Sequence, residues 1–517
     1  MRLKKLLFNK RLAIKVILLI NLAIYCTPID CQLKYDYNWV IASSADGIPG
    51  IDAYIIDFND GKRSLREIAA HNRVHKGNAV ISNQEGELQF FTNGCEIMDT
   101  LGDVVMNGEE LISGEMYNLY CYLGNYPGIQ NSTILPDPGS EQHYYYLQKE
   151  AIFTTFQGEF LGVYANLRAS KVYSHDNITE VISKSEIIDS VGYRFSANME
   201  SILHANGTDW WIVDYLIRES EGSRLIYALD ENEVKLSRTE EYENQEALAH
   251  FNSTEGQAAF APNGDLYAKY DARTGLDLFD FDRATGEFSN YRHFSTLGYN
   301  LEKTYSGMAF SPNSRFIYIS SHDKLHQLDL WEENLEDGFE LIGEYDGYLD
   351  PYPTNFTWMQ LGPDCRIYMT STNGVSSYHV INNPDEKGLD CDFVQHGFEL
   401  PIHNGLASIP NFPVFRFDED DVCDPTITSV FDVPVEIIHN LDLFPNPTSD
   451  LISIAFPDDL RRGILYVKSM SGQVLHRESF DYAGSLQVSL GDYAAGIYIV
   501  EVVSEGKRYV DRVVKVE

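Results

Sequence analysis

Three stretches decide the fold: AFAPNGDLYAKY (259–270), AFSPNSRFIYIS (309–320) and QLGPDCRIYMTS (360–371). Each reads as a short strand, a Pro-Asn or Pro-Asp turn and a second strand with alternating apolar residues, which is the sequence form of a β-hairpin. Their prolines, Pro262, Pro312 and Pro363, lie 50 and 51 residues apart. A second marker follows each hairpin, LFDFD (278–282), QLDLW (327–331) and SYHVI (377–381), and sets Asp280, Asp329 and His379 at spacings of 49 and 50. Fainter copies come earlier, at AVISNQEGELQFF (79–91), ILPDPGSEQHYYYL (134–147) and ILHANGTDWWIV (202–213), at longer intervals that loop insertions explain.

Four antiparallel strands and their turns occupy about 40 to 50 residues, the size of one propeller blade. Six copies are visible, and the 380 residues from Asn38 to Phe417 hold seven with some insertions. The expectation is an all-β chain, a seven-bladed β-propeller followed by a small immunoglobulin-like β-sandwich. In it the seventh blade is closed by NWVIAS (38–43) and AYIIDF (53–58) pairing with strands around SIPNFPVFRF (408–417). A linear stack of hairpins is the competing architecture. Composition agrees with strands: the 517 residues include 33 Tyr and 27 Phe, side chains that suit a pleated, half-buried surface.

Asp plus Glu number 77 against 39 Lys plus Arg, a formal charge of -38. Residues 1–31 carry six basic side chains and one acid, so their removal takes the charge to about -43. Such a surface repels phosphate backbones and anionic lipid, which excludes a nucleic-acid role on electrostatic grounds. Basic residues up to Lys15 precede the apolar run VILLINLAIY (16–25), the arrangement of a signal peptide cleaved after Cys31. A lipoprotein reading through Cys26 places bulky Tyr25 where a small residue is wanted, and an uncleaved anchor needs the run extended back past Lys15.

Loss of Cys26 and Cys31 leaves Cys95, Cys121, Cys365, Cys391 and Cys423. Outside the cytoplasm an odd count leaves at least one thiol unpaired within the chain. Spacing suggests Cys95 with Cys121 and Cys365 with Cys391, leaving Cys423 over; five buried, unpaired thiols are the plainer alternative. The chain has no CxxC or Cys/His zinc pattern.

After the acid run DEDDVCD (418–424) a linker extends to about Glu436, and residues 437–517 show six or seven short alternating strands. Within them LFPNPTSD (443–450), SGQV (471–474), AAGIYIVEV (494–502) and RVVKV (512–516) resemble the type A C-terminal sorting domain of the bacterial type IX secretion system. Its landmarks here are Pro445, Asn446, Pro447, Gly472, Gly496, Tyr498 and Lys515. The resemblance implies a protein of the Bacteroidota, carried by Sec to the periplasm and by the type IX machinery to the outer surface. There the tail is usually cleaved, and the passenger is attached to lipopolysaccharide or released. The order of motifs between residues 38 and 417 is also similar to seven-bladed-propeller-like exported proteins of the same bacteria.

Candidate chemistry is sparse. His204, Asp209 and Trp210 in HANGTDWW are the candidate ligand-binding residues at a blade edge, although Asn206-Gly207 is itself a hairpin turn signal. His322 and His326 have a four-residue spacing, but on a strand turn. Asp277, Asp280 and Asp282, and the linker acids Asp418 to Asp421, are possible calcium ligands without an EF-hand or nonapeptide repeat. No GxSxG, GxGxxG or HExxH motif is present. The N-x-S/T sites at Asn131, Asn177, Asn206, Asn252 and Asn355 are incidental in a bacterium. The expected function is a secreted or surface-attached binding protein holding a glycan, peptide or protein partner. The alternative is an exported hydrolase, lyase or lactonase with its site in the propeller channel.

Overall fold

The three proline turns fold alike because each ends on a residue in left-handed backbone: Gly264 (φ 75°), Ser314 (φ 60°) and Cys365 (φ 62°). The N–H of that residue closes the turn onto the carbonyls of Ala261, Ser311 and Gly362 respectively. The Asn or Asp after the proline then accepts the next free N–H: Asn263 from Asp265 at 3.0 Å, Asn313 from Arg315 at 3.0 Å and Asp364 from Arg366 at 3.4 Å. This is the local turn chemistry that Asn and Asp supply, and it pins the register of the hairpin that follows. Leu266, Phe316 and Ile367 consequently pair with Asp280, Asp329 and Ile381. The third copy of the second sequence marker therefore aligns at Ile381, two residues beyond His379.

The computed structural model describes residues 33–42, 51–74, 76–124, 126–156, 159–176, 178–190, 192–193, 198–218, 221–244, 256–295, 305–404, 408–417, 422–427, 441–455, 462–469, 474–481, 485–491, 493–504 and 507–516. The expected signal peptide with Cys26 and Cys31, most of the linker including Asp418 to Asp421, Asn177, Asn252 and Gly472 lie outside them.

Up to residue 429 these residues form seven antiparallel sheets of three or four strands, spanning 38–70, 79–98, 132–189, 200–241, 257–294, 306–344 and 359–399. Consecutive strands pair in order within each sheet. Apolar side chains fill the space between neighbouring sheets: Phe260, Tyr267 and Phe279 face Val213 and Ile226 of the preceding sheet, and Leu278 faces Met308 and Ile317 of the next. The first and last sheets share a core as well, with Trp39 and Phe58 against Tyr368 and Phe398. The sheets thus follow one another in a closed succession, and the passenger is a β-propeller.

Closure differs from the expectation. Asn38–Ala42 pairs with Ile51–Asp57, which pairs in turn with Ser64–Ala70, and residues 408–417 join no sheet. They run as a strap along the inner strands, with one parallel bridge between Ile202 and Val414. Side chains hold the strap: Asn411 donates to the carbonyls of Ser132 (3.3 Å) and Met199 (3.2 Å), and Ser408 Oγ to that of Val74 (2.9 Å). Pro410 and Pro413 lack the N–H groups that a ladder needs. At the strap's end the Arg416 guanidinium grips the Asp36 carboxylate through both nitrogens, at 2.6 and 2.8 Å, and both residues are buried.

Cysteine pairing is as expected for Cys95–Cys121 and is otherwise corrected. Cys365 bonds Cys423, just past the strap, and Cys391 is a buried free thiol. The first-to-second-strand turn carrying Cys365 meets the returning chain, since Asp424 N–H bonds Pro363 O. Cys391 instead packs against Phe316 and Tyr318 in the core of the sixth and seventh sheets.

The second unit, residues 430–517, is a sandwich of a three-stranded and a four-stranded sheet over Ile452, Ile454, Leu465, Val467, Val500, Val502 and Val513. Its sequence landmarks are structural. Asn446 brackets the last strand, donating to Arg512 O at 2.7 Å and accepting the Val514 N–H at 2.9 Å. Tyr498 donates to Ala494 O at 2.7 Å, and Gly496 pairs with Lys515. Pro445 and Pro447 both follow cis peptide bonds.

Candidate functional site

The turns joining the first and second strands of the second, third and fourth sheets enclose a cleft of about 630 Å³. Asn83 shapes the first turn, its Oδ1 accepting the N–H groups of Glu85 (3.1 Å) and Glu87 (2.8 Å). Asp137 shapes the second by accepting the Gly139 N–H at 2.9 Å, while its other oxygen pairs with Lys171 at 2.6 Å. Trp210 forms a wall: its indole N–H donates to Pro136 O at 3.1 Å and its ring meets Phe415 of the strap edge-on, with centroids 5.6 Å apart. Tyr35 packs on the same Phe415, at 5.1 Å.

Glu85 and Glu141 give the cleft its charge. Both line it, and neither pairs with a cation among the described residues. Burial, with the two carboxylates adding to it against a hydrogen bond to Gln84, pushes the Tyr35 hydroxyl up to about 12. Tyr35 therefore stays a neutral donor between two acids. Gln84, Gln89 and Gln142 add amide groups to the lining. The arrangement offers acceptors, amides and aromatic edges, and at its rim the Ser140 hydroxyl is hydrogen-bonded to His143 Nδ1 at 2.7 Å.

Of the three candidate residues, only Trp210 lines the cleft; His204 and Asp209 serve the turn beside it. His204 Nδ1 accepts the Asn206 N–H at 2.9 Å and its ring packs on Trp211. Asp209 accepts from Asn206 Nδ2 at 2.8 Å, and its carbonyl takes the His204 N–H at 2.7 Å. Gly207 and Thr208 of this turn reach the cleft. Tyr35, Glu85 and Glu141 escaped the sequence reading because they come from separate turns and carry no motif.

Among the described residues the strap occupies the space beside the inner strands. Phe412 and Phe415 of the strap stand against the inner strands Gln257–Phe260, Ser306–Phe310 and Met359–Leu361, leaving a cavity of about 90 Å³. An amide network lines it: Gln130 Nε2 donates to Glu200, to Ala258 O at 2.9 Å and to Asn411 Oδ1 at 3.1 Å. Burial pushes the Glu200 carboxyl well above the usual range, against hydrogen bonds from the Ser201 N–H and Gln130.

The calcium candidates separate. Asp277 is buried and accepts from Asn244, Tyr242, Tyr291 (3.0 Å) and His293 (2.8 Å), Asp280 pairs with Arg292, and Asp282 accepts the Ala284 N–H at 2.8 Å. His322 lies in a turn at φ 54°, and His326 is on the strand Lys324–Asp329, its imidazole pushed down to about 4 by burial and then by Lys324. No helix carries the pair.

Residues 442–516 match the secretion system C-terminal sorting domain. That tail supports type IX export, to the outer surface or beyond the cell. No curated protein matches the chain in sequence. Among solved structures, the luciferin-regenerating enzyme is 12% identical, covering 75% of this chain and 97% of its own, with a TM-score of 0.31. The β-propeller domain of Cps50 (Swd1) from Myceliophteria thermophila is 10% identical over 65% of this chain and 93% of its own, with a TM-score of 0.34. The Dos1 propeller is 11% identical over 65% and 91%, with a TM-score of 0.31. At these scores none bears on activity, and the fold rests on the sheets themselves.

Proposed function

We propose that the chain is an exported binding protein whose seven sheets are the blades of one ring, and whose cleft at Tyr35, Glu85, Glu141 and Trp210 holds a polar partner, a peptide or glycan rich in amine or hydroxyl groups. The observation that carries this reading is the contrast between two spaces. The cleft, about 630 Å³, presents carboxylates that pair with no cation among the described residues beside aromatic walls, whereas about 90 Å³ is left beside the strap at the inner strands. A hydrolase working in the channel would need that space open to substrate. Ligand sites are ordinarily concave, with a few polar groups fixing orientation, and the cleft has that character.

Export completes the reading. A signal peptide over residues 1–31 takes the chain through Sec to the periplasm of a member of the Bacteroidota. The tail then directs type IX export, after which the passenger is released or attached to lipopolysaccharide. The acidic surface suits an ionic exterior, and two disulfides suit an oxidising compartment.

Peptide and glycan arrays probed with the full mature chain test the site, with Glu85→Gln/Glu141→Gln as the comparison. The wild type retains amine- or hydroxyl-rich ligands, and the double variant loses at least about tenfold in affinity, the scale of a charge-assisted hydrogen bond. Equal retention by both proteins, or none by the wild type, overturns the assignment.

A further inference from the structure

Trp331 stands apart from the other tryptophans. It is 70% exposed, while Trp39, Trp210, Trp211 and Trp358 are all buried. An exposed indole is usually mobile, yet this one is held. The Arg315 guanidinium lies over its ring, 4.6 Å from the centroid, and is itself fixed by Asp329 through two hydrogen bonds of 2.9 and 2.8 Å. The same carboxylate accepts the backbone N–H of Trp331 at 3.1 Å, which fixes the main chain beneath the ring. One ring face is thus backed by a clamped cation, and the indole is preorganised at little further entropic cost on binding.

A cavity of about 370 Å³ opens beside it, lined by Asn263, Pro312, Asn313, Leu330 and Trp331. The two asparagines belong to equivalent proline turns, and both use Oδ1 for the turn itself. Their Nδ2 groups donate to no acceptor among the described residues. The charges nearby are spent on one another: Arg315 on Asp329, Lys387 on Asp329 (3.0 Å) and Glu332 (2.5 Å), and Arg292 on Asp280. What remains for a ligand is an aromatic face and two neutral amide donors.

We propose that Trp331 with the Asn263 and Asn313 turns forms a second site, distinct from the cleft, which binds a neutral pyranose unit of a polysaccharide. A pyranose ring in its chair form presents axial C–H groups on one face and hydroxyls around its edge. The C–H face stacks on the indole, whose π surface is its negative side, and the edge hydroxyls accept from the amides. The one charged side chain lining the cavity among the described residues, Arg292, is already paired with Asp280, so the lining favours a neutral ligand.

The test uses the full mature chain with barley β-glucan, xyloglucan and yeast mannan as soluble neutral probes. Affinity gel electrophoresis reads binding, and acrylamide quenching of tryptophan emission reads shielding of Trp331, the exposed indole of the five. At least one polysaccharide retards the wild type and protects its emission. Trp331→Ala weakens that binding by about tenfold or more, and Trp331→Phe, which keeps a ring, by much less. Glu85→Gln/Glu141→Gln leaves it unchanged. Failure of all three probes, undiminished binding by Trp331→Ala, or loss of binding in the cleft variant overturns the proposal.

Discussion

Arg416→Met breaks the contact that ties the strap to the start of the propeller across 380 residues of sequence. The guanidinium makes two charge-assisted hydrogen bonds to Asp36, at 2.6 and 2.8 Å, and also donates to the carbonyls of Leu33 and Val422. Methionine fills much of the volume and supplies none of these donors. Asp36, 8% exposed, then faces no counter-charge from Arg416. Removing one partner of a buried pair costs about 3 to 5 kcal/mol, because the other charge is left desolvated. At 1.4 kcal/mol per decade that is about two to three and a half decades in the unfolding equilibrium.

The assay reads the propeller within the full chain. All five tryptophans lie between residues 39 and 358, so emission during urea unfolding reports the ring and is silent on the tail. Two of them report on the strap directly, Trp210 with its ring 5.6 Å from Phe415 and Trp39 with its ring 6.2 Å from Phe412. Arg416→Met lowers the midpoint, and Asp36→Asn/Arg416→Met recovers more than half of the loss by neutralising the orphaned charge. A single variant within about 0.5 kcal/mol of wild type, the range of ordinary surface changes, refutes the view that this pair latches the strap. So does a double variant no better than the single one.

Two further outcomes follow from the same interior. Cys423→Ser opens a bond spanning 58 residues, and chain entropy puts its contribution at about 4 kcal/mol; peptide mapping without reduction should recover Cys365 joined to Cys423, and a Cys365–Cys391 peptide in its place would sink the assignment. Glu200→Gln tests the buried carboxyl by pH. Its folded-state pKa lies above its unfolded value, so the stability tied to its proton is fully present below the unfolded pKa and is lost as pH rises through the folded one. The variant should match wild type in acid and gain on it toward neutral pH; a stability difference that stays flat from pH 4 to pH 8 would contradict this.

The repeat was legible because its chemistry is local. A proline, an Asn or Asp and a left-handed fourth residue make the turn within four positions, and the alternating strand after it follows from the pleat. The sequence reading makes SIPNFPVFRF a closing partner of the first strands. Its two prolines were the available signal against a ladder, and the anchoring Asn411 and Arg416 act on partners hundreds of residues away. Cys423 lies 58 residues from Cys365 and Cys391 only 26, so spacing alone pointed to the nearer thiol. In the cleft, Trp210 was visible from the run HANGTDWW, but that run's His204 and Asp209 are used by the Asn206-Gly207 turn within six residues. Glu85 and Glu141 acquire meaning only when three sheets bring their turns together.

The strap also constrains the order of events in export. Ring closure draws on Ser408, Asn411, Arg416 and Cys423, so a chain emerging from its N-terminus lacks these contacts until almost the whole passenger has emerged. Until then Trp39, Tyr368 and the Phe412 side of the inner strands lack their cover, and their exposed apolar surface invites aggregation. The matched sorting tail begins at residue 442, 19 residues after Cys423. The segment that seals the propeller and the segment that addresses it for export therefore emerge in immediate succession, and Cys423 reaches its partner only in an oxidising compartment. A passenger presented with its tail has by then the means to be closed, and the cleft walls that lean on Phe415, Tyr35 and Trp210 are set by the same event.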